Sequence, residues 1–497
     1  MGDDATTTDT RRRLGAALSR RFGIDTRALA VLRICLGVLL LTDLALRARY
    51  LTTFYTDHGA LPRATLSETY PVYHRFSLHA LSGEPWVQAL LFLVAAVFAL
   101  ALLLGYRTRL ATVVSLVLLL SLHYRNPFVL NGGDLVLRRL VFWSVFLPLG
   151  ERWSVDAVRR DTADPDRQVR ERVASVASAA LLCQVLLVYG ANALLKSRGE
   201  RWLAGEAVPM VFSLDQFLVG IGPLLAELPA VLTIMNYVWV ALLVCSPLLV
   251  LATGRIRAIL ALAFAGMHFG MFLTMTLGLF PLVSMAALVP FLPPAVWDRL
   301  PTSDHAVFAR VSERLPRLPR SVPERVAGLA AWGRRAVPVV VSLLLAGMLV
   351  WNAVAFGVVA APAETPDHLS NSRWNMFAPE PLSTDTWHVF PGTLESGERV
   401  DAFRGGDPVW NPPDVSATYP DARWRKYLTS QYFGDDSTRR EQFAGHLCRQ
   451  WNATHDDGLR SVRVTVVRQP TRLDGPEPTE RQQVGNYTCT GSGARPV

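Results

Sequence analysis

YGANALLKSRGERWLAG, residues 189–205, is the stretch on which the reading of this chain turns. A long apolar run ends there on Lys196, with Trp202 and Gly205 just beyond. Of the 50 Lys and Arg residues, only Lys196 and Lys426 are lysine. Arginine cannot release its proton inside a protein, whereas a partly desolvated lysine can act as a base. The run is near the ~20 residues that span a bilayer. Lys196 therefore reads either as a cation snorkelling from the end of a membrane helix or as a base held at the membrane edge.

Similar apolar runs recur on both sides. The chain has 497 residues, 51% of them hydrophobic. Runs at about 28–46, 86–104, 110–123, 135–149, 173–196, 230–251, 256–276, 279–296 and 336–359 predict nine transmembrane helices. The stretch 208–225, broken by Pro209, Gly220 and Pro223, reads as an interfacial or re-entrant piece. The net charge of +9 is not a nucleic-acid signature, because the arginines sit in short segments between apolar runs. Their distribution places a basic tail (1–27), expected to be flexible, and an Arg/Pro-rich linker (297–335) on the cytoplasmic side. The first apolar run has no small-residue cleavage site and reads as a retained anchor. The organisation expected is a transmembrane domain over 28–296, a last helix over 336–359 and an extracytoplasmic domain over 360–497. The localisation expected is the cell membrane, multi-pass, with the N-terminus inside.

The C-terminal region is polar and reads as a small α+β domain. TWHVF and ERVDAF, joined across LESGE, predict a hairpin. DARWRKYLTSQYF and residues 438–451 predict helices, and the β-branched alternation of LRSVRVTVV predicts a strand. Cys448 and Cys489 are candidates for a disulfide, which requires an oxidising compartment. The sequons at Asn452 and Asn486 fall in the same region. Cys35, Cys183 and Cys245 lie in apolar runs as small core residues. No Cys/His cluster suggests a metal, and none is predicted.

The orientation brings several ionisable groups to the outer side. Lys196 ends the fifth run, Asp43 the first and His123 the third, while Asp134 begins the fourth. His268 lies within the seventh, toward its outer half. Such groups in a membrane face a bundle interior or a wet cavity, or are satisfied at helix ends by headgroups and water. Grouped around one cavity with Trp202, they would suit proton abstraction from a small amphipathic substrate, with Lys196 as the base.

Six segments carry a family resemblance. They are R-x3-G at Arg33 and Gly37, FYTDHGALP (54–62), GYRTR (105–109), WSVD (153–156), YGANALLKSRGERWLAG and HFGMFLTMTLGLFP (268–281). In this order, over about 27–296, they resemble the HTTM domain, the membrane domain shared with vitamin K-dependent γ-glutamyl carboxylases. WNMFAPEP (374–381) and RWRKYL (423–428) look like the outer domain of prokaryotic HTTM proteins. The resemblance implies a lysine base, Lys196, that deprotonates a reduced quinone such as vitamin K hydroquinone. Oxygen then yields a strong base that removes a glutamate γ-proton, and CO2 adds to the carbanion. The chain departs from the carboxylases in placing Gly133 or Asp134 where they carry a histidine. It also has Leu195-Lys196 in place of two adjacent lysines, and a small outer domain in place of a large lumenal one.

The expected function is thus that of a carboxylase-like, quinol-dependent membrane enzyme, a lyase if active. Its expected partners are membrane lipid, a quinone and a protein bound by the C-terminal domain, with no nucleic acid. The alternatives are a non-enzymatic scaffold presenting that domain, or a lipid or small-molecule transporter with Asp43, Asp134 and His268 along its path.

Overall fold

The computed structural model describes residues 3–299, 306–316, 324–359, 376–430, 436–490 and 493–497. Trp374 and much of the expected linker lie outside these residues. The principal helices before the C-terminal region are α1 (Asp3–Phe22), α2 (Thr26–Ala48), α3 (Pro85–Leu104), α4 (Thr108–Arg125), α5 (Gly132–Ser144), α6 (Val176–Lys196), α7 (Pro229–Val244), α8 (Gly254–Thr274), α9 (Phe280–Leu288) and α10 (Glu324–Ala355).

Among the described residues five helices, not nine, are long and apolar enough to cross a membrane: α2, α3, α6, α8 and residues Arg335–Ala355 of α10. The other four expected spans fall short for physical reasons. At 1.5 Å per residue the 13 residues of α5 reach about 20 Å, against a hydrocarbon core of about 30 Å. α7 is a shorter apolar helix, α9 continues into a 3-10 turn at Val289–Phe291, and α4 carries Arg109, His123 and Arg125. The stretch read as interfacial is a series of short pieces: Ala207–Phe212, a 3-10 turn at Asp215–Phe217, and Gly222–Ala226. The N-terminal segment is a helix, in contrast to the flexible tail expected. Its end is fixed by hydrogen bonds from Arg257 to Arg21 O (2.9 Å) and from Arg172 to Arg20 O (2.7 Å).

Local chemistry sets the helix ends. The Asp25 carboxylate accepts from Arg27 N to start α2, and reciprocal Ser175–Ser178 bonds start α6. α3 stops at Gly105, whose φ of +67° suits glycine. A Cβ on Gly105 would lie 2.0 Å from the Arg33 guanidinium, which donates to Trp153 O and Leu102 O. Asp156 N donates to Gly105 O (3.0 Å), and the Asp156 carboxylate accepts from Thr108 N (2.8 Å). Arg33, Gly105, Thr108, Trp153 and Asp156 therefore form one hydrogen-bonded knot that ties the three motifs together. One turn beyond Arg33, Gly37 lets α2 cross closely over Leu103 of α3.

The C-terminal region contributes β1 (Thr384–Val389), β2 (Pro391–Leu394), β3 (Arg399–Asp401), α11 (Ala422–Thr429), α12 (Ser437–Thr454), β4 (Leu459–Pro470), β5 (Glu480–Thr490) and β6 (Gly493–Pro496). The sheet is antiparallel, in the order β3-β2-β4-β5-β6, and β1 also pairs with β4. This corrects the expected hairpin. Its arms are β2 and β3, with Pro391 opposite Asp401, while TWHVF runs along the far half of β4, with Trp387 opposite Val467.

The two parts of the chain share a core. Phe54, Tyr55, Leu61, Phe92, Leu122 and Phe128 belong to one buried cluster with Trp387, Phe390, Trp424, Tyr427 and Phe443. Trp424 packs 4.7 Å from the Phe54 ring, and Tyr427 5.4 Å from it. The FYTDHGALP loop is thus the seat of the C-terminal domain. Its carbonyls are taken up by that domain and by α4: His58 O meets His446 Nδ1 at 3.1 Å, and Leu61 O accepts from Arg125 at 2.9 Å.

Candidate functional site

The ionisable residues singled out in the sequence do not form one cavity; the structure sorts them into three neighbourhoods. The first is a buried ion cluster at the end of α2. Arg47, one turn after Asp43, donates to its carboxylate (2.8 Å), to the Tyr55 hydroxyl (2.7 Å) and to Asp134 (2.6 Å). Arg423 of α11 donates to Asp43 and reaches Asp134 at 3.4 Å. His123 Nε2 stands 3.7 Å from the Asp134 carboxylate. Asp134 is held in turn by the first turn of α5, where it accepts from Asn131 N (2.7 Å). All five side chains are buried. Two carboxylates face two guanidinium groups, so the cluster is neutral without an added ion. The ligand atoms of Asp43, His123 and Asp134 lie within 4.8 Å of one another, but a cation would enter only by displacing an arginine.

Arg47 and Arg423 are the residues that sequence reading missed. The Asp43–Arg47 spacing of four was visible as a helical ion pair. Arg423 was visible only as part of RWRKYL, with no sign of its partner. The rest of that motif also grips the bundle. Arg425 donates to Gln216 O and Thr276 O, both at 2.8 Å, with its guanidinium 4.0 Å from the Phe217 ring. Asp385 of β1 accepts from the N–H groups of Asp215 (2.9 Å) and Gln216 (3.0 Å). Burial pushes the Asp385 carboxyl up to about 6, against the opposing pull of those two donors.

The second neighbourhood holds Lys196. Its side chain is buried, and Nζ donates to Met376 O (2.9 Å) and Phe377 O (3.2 Å) and lies 3.6 Å from the centre of the Trp202 ring. Trp202 Nε1 donates to the same Phe377 O (2.9 Å). Among the described residues, no carboxylate pairs with the ammonium. The segment 376–380 is seated by further contacts. Met376 packs over Gly132, and Phe377 packs edge-on to Phe217 at 5.4 Å. Gly199 lies so close to Pro379 that a Cβ there would be 2.0 Å from Pro379 O, and Glu380 accepts from Glu200 N at 2.6 Å. The MFAPE half of the quoted C-terminal motif is therefore a cap over the lysine.

The third neighbourhood surrounds His268 on α8. Its Nε2 is 3.0 Å from the Tyr189 hydroxyl, and its ring is boxed by Trp239 and Phe280. Phe280 also contacts Gly132 and Gly133, so this aromatic box adjoins the cap through Met376. In the C-terminal domain Cys448 and Cys489 are bonded. Asn452 is exposed, with its side-chain oxygen accepting from Leu459 N, and Asn486 lies half-buried in β5.

The family model for the HTTM domain matches residues 23–297. No curated protein and no solved structure matches the chain.

Proposed function

Because the chain belongs to the HTTM-domain family, we propose that it is a carboxylase-like membrane enzyme in which Lys196 accepts a proton from a reduced quinone and the segment 376–380 is its resting cap. One observation carries this reading: a buried primary amine has no carboxylate partner among the described residues and is held by main-chain oxygens of a segment 180 residues away. A lysine kept for charge balance alone would be expected beside an acid, because burying an unpaired charge is costly. The donor set suits a phenolic ligand: an amine, the Trp202 indole and the adjoining aromatic box of Tyr189, Phe280 and His268. A reduced quinone, when bound, supplies an O–H of modest acidity. With the cap in place, two carbonyls and the indole face take all three N–H directions of the ammonium, so proton acceptance requires the cap to withdraw.

The test is quinol-dependent CO2 incorporation, or quinol oxidation, by the wild type, Lys196→Arg and Lys196→Ala, beside thermal melts. Arginine keeps the charge but has no proton-accepting state at working pH, so both variants should lose activity. A fully active Lys196→Arg protein would end the assignment.

A second reading, a non-enzymatic scaffold presenting the C-terminal domain, draws on the same saturated ammonium and on the ion cluster that fastens the domain to the bundle. It predicts that Lys196→Arg is tolerated and that the fastening, not the amine, sets the phenotype.

A further inference from the structure

Residues 70–86 form a ledge between the FYTDHGALP loop and α3. The ledge contains the short helix Pro71–Arg75 and the 3-10 turn Leu78–Ala80. Its large apolar side chains point outward: Phe76 is 65% exposed, Leu81 76% and Trp86 68%, and Val72 is exposed as well. A slack loop could expose such residues by default, but this one is clamped from three sides. Ser77 Oγ donates to Ser121 O (2.8 Å), and His79 N donates to Ser121 Oγ (3.1 Å), both on α4. Gln88 of α3 donates to His79 O (2.8 Å) and Ser82 O (2.6 Å). From the loop, Asp57 N donates to Gly83 O (3.1 Å), and Arg63, just after the loop, donates to Leu81 O (3.0 Å). The fold therefore fixes these side chains outward at the cost of leaving apolar surface uncovered by protein.

Continuity shows what covers them. Trp86 opens α3, and Leu90, Leu93, Val97 and Leu100 remain exposed along that helix. α3 is one of the helices apolar enough to cross a membrane, so its outward face meets acyl chains. The ledge prolongs that face past the helix start. The Tyr70 hydroxyl donates to Asp436 (2.8 Å), which places the ledge on the side of the C-terminal domain. We propose that residues 71–86 are an in-plane membrane anchor, with Phe76, Leu81 and Trp86 seated at the acyl–headgroup boundary of the leaflet on that side. Tryptophan favours this boundary, where its apolar ring and polar N–H are both satisfied. Arg75, exposed at the end of the short helix, can keep its guanidinium among the headgroups while its stem lies along them.

The test uses the full chain in nanodiscs, with Cys35, Cys183 and Cys245 replaced by alanine. Phe76→Cys and Leu81→Cys, and Val409→Cys on the C-terminal domain as the aqueous control, each carry an environment-sensitive fluorophore. All three positions are exposed, so the labels should not disturb folding. The nanodiscs contain phosphatidylcholine with a doxyl quencher near the headgroup end of its acyl chain. Quenching at 76 and 81 should exceed that at 409 several-fold. Quenching at 76 and 81 no greater than at 409 would overturn the anchor. So would protection of both labels only in a cross-linked dimer, which would make the ledge a contact between copies.

Discussion

Arg423 and Asp43 lie 380 residues apart and are hydrogen-bonded in a buried layer, one from the C-terminal domain and one from the first membrane helix. The bond fixes how the domain sits on the bundle. Removing one partner of a buried pair leaves an uncompensated charge, which typically costs about 3–5 kcal/mol. Arg423→Met should therefore lower the melting temperature sharply and expose the domain boundary to protease. Adding Asp43→Asn should recover part of the loss, since Arg47 still neutralises Asp134. A double variant as unstable as the sum of the two singles would show that the pair is not coupled.

The cap over Lys196 can be read by amine chemistry, because Lys426 is the only other lysine and is exposed. In the native protein an amine-reactive reagent should modify Lys426 and spare Lys196. Gly199→Ala inserts a methyl that would meet Pro379 O at 2.0 Å, at a φ of −94° that alanine accepts. Its expected result is Lys196 labelling that rises toward the level at Lys426, quantified by peptide mass spectrometry. Unchanged protection would mean that the segment 376–380 is not what shields the amine.

Acid should weaken the C-terminal domain. Burial pushes His446 down to about 4 and His388 to about 3, the latter with help from Arg404 and Arg468. Both are neutral when folded, whereas in the unfolded chain they gain a proton below their ordinary value of 6.5. Stability contributed by each is full above that value and is lost as pH falls, by about 1.4 kcal/mol per pH unit. Asp385 acts with the opposite sign, since its raised value of about 6 means that the folded state takes up its proton first. Two histidines against one carboxyl leave a net loss of about 1.4 kcal/mol per unit between pH 6 and 5. Melting curves at those two pH values test this, and His446→Gln should flatten the difference.

Reduction should also loosen the domain. The Cys448–Cys489 bridge closes a loop with a sequence separation of 41, and such a bridge contributes roughly 2–4 kcal/mol. Unfolding without reductant should reveal three alkylatable thiols, at Cys35, Cys183 and Cys245, and with reductant all five. Five thiols without reductant would refute the bridge.

Topology is open to direct measurement. With the basic segments inside, an impermeant reagent on intact cells should reach a tag in the C-terminal domain and miss one in the 297–335 linker. Labelling of the linker alone would reverse the orientation.

What the sequence made legible follows from the range of the forces involved. Helices α2, α3, α6 and α8 could be read because hydropathy accumulates along consecutive residues. α5 looked longer than it is, since the apolar residues to Leu149 continue after the helix ends at Ser144. The hairpin was misplaced because TWHVF has strand chemistry regardless of which neighbour it pairs with. Pro391 marks the point where the chain passes from β1 to β2 along β4, and nothing local reveals that. The expectation set Asp43, His123, Asp134, Lys196 and His268 around one cavity; the structure brings only the first three close together. Lys196 and His268 lie apart, the one against Met376, Phe377 and Trp202 and the other against Tyr189, Trp239 and Phe280. Arg423 went unseen because its carboxylate partners lie 289 and 380 residues away, and the cap because the main-chain carbonyls that hold Lys196 leave no mark in a sequence of side chains.

The seat shared by the FYTDHGALP loop and the C-terminal domain has a consequence for biogenesis. Ribosomes add roughly 5–20 residues per second, so Asp43 reaches the membrane on the order of 20–80 s before Arg423 is made. During that interval Arg47 alone must compensate two acids, and Phe54 lacks the rings of Trp424 and Tyr427 that later pack on it. The bundle is then an unfinished client, with a charged, hydrophobic notch open to insertion chaperones and to quality-control proteases. A nascent chain stalled before residue 423 should be degraded faster than one released after 454, and pulse–chase of the two lengths would read that difference directly.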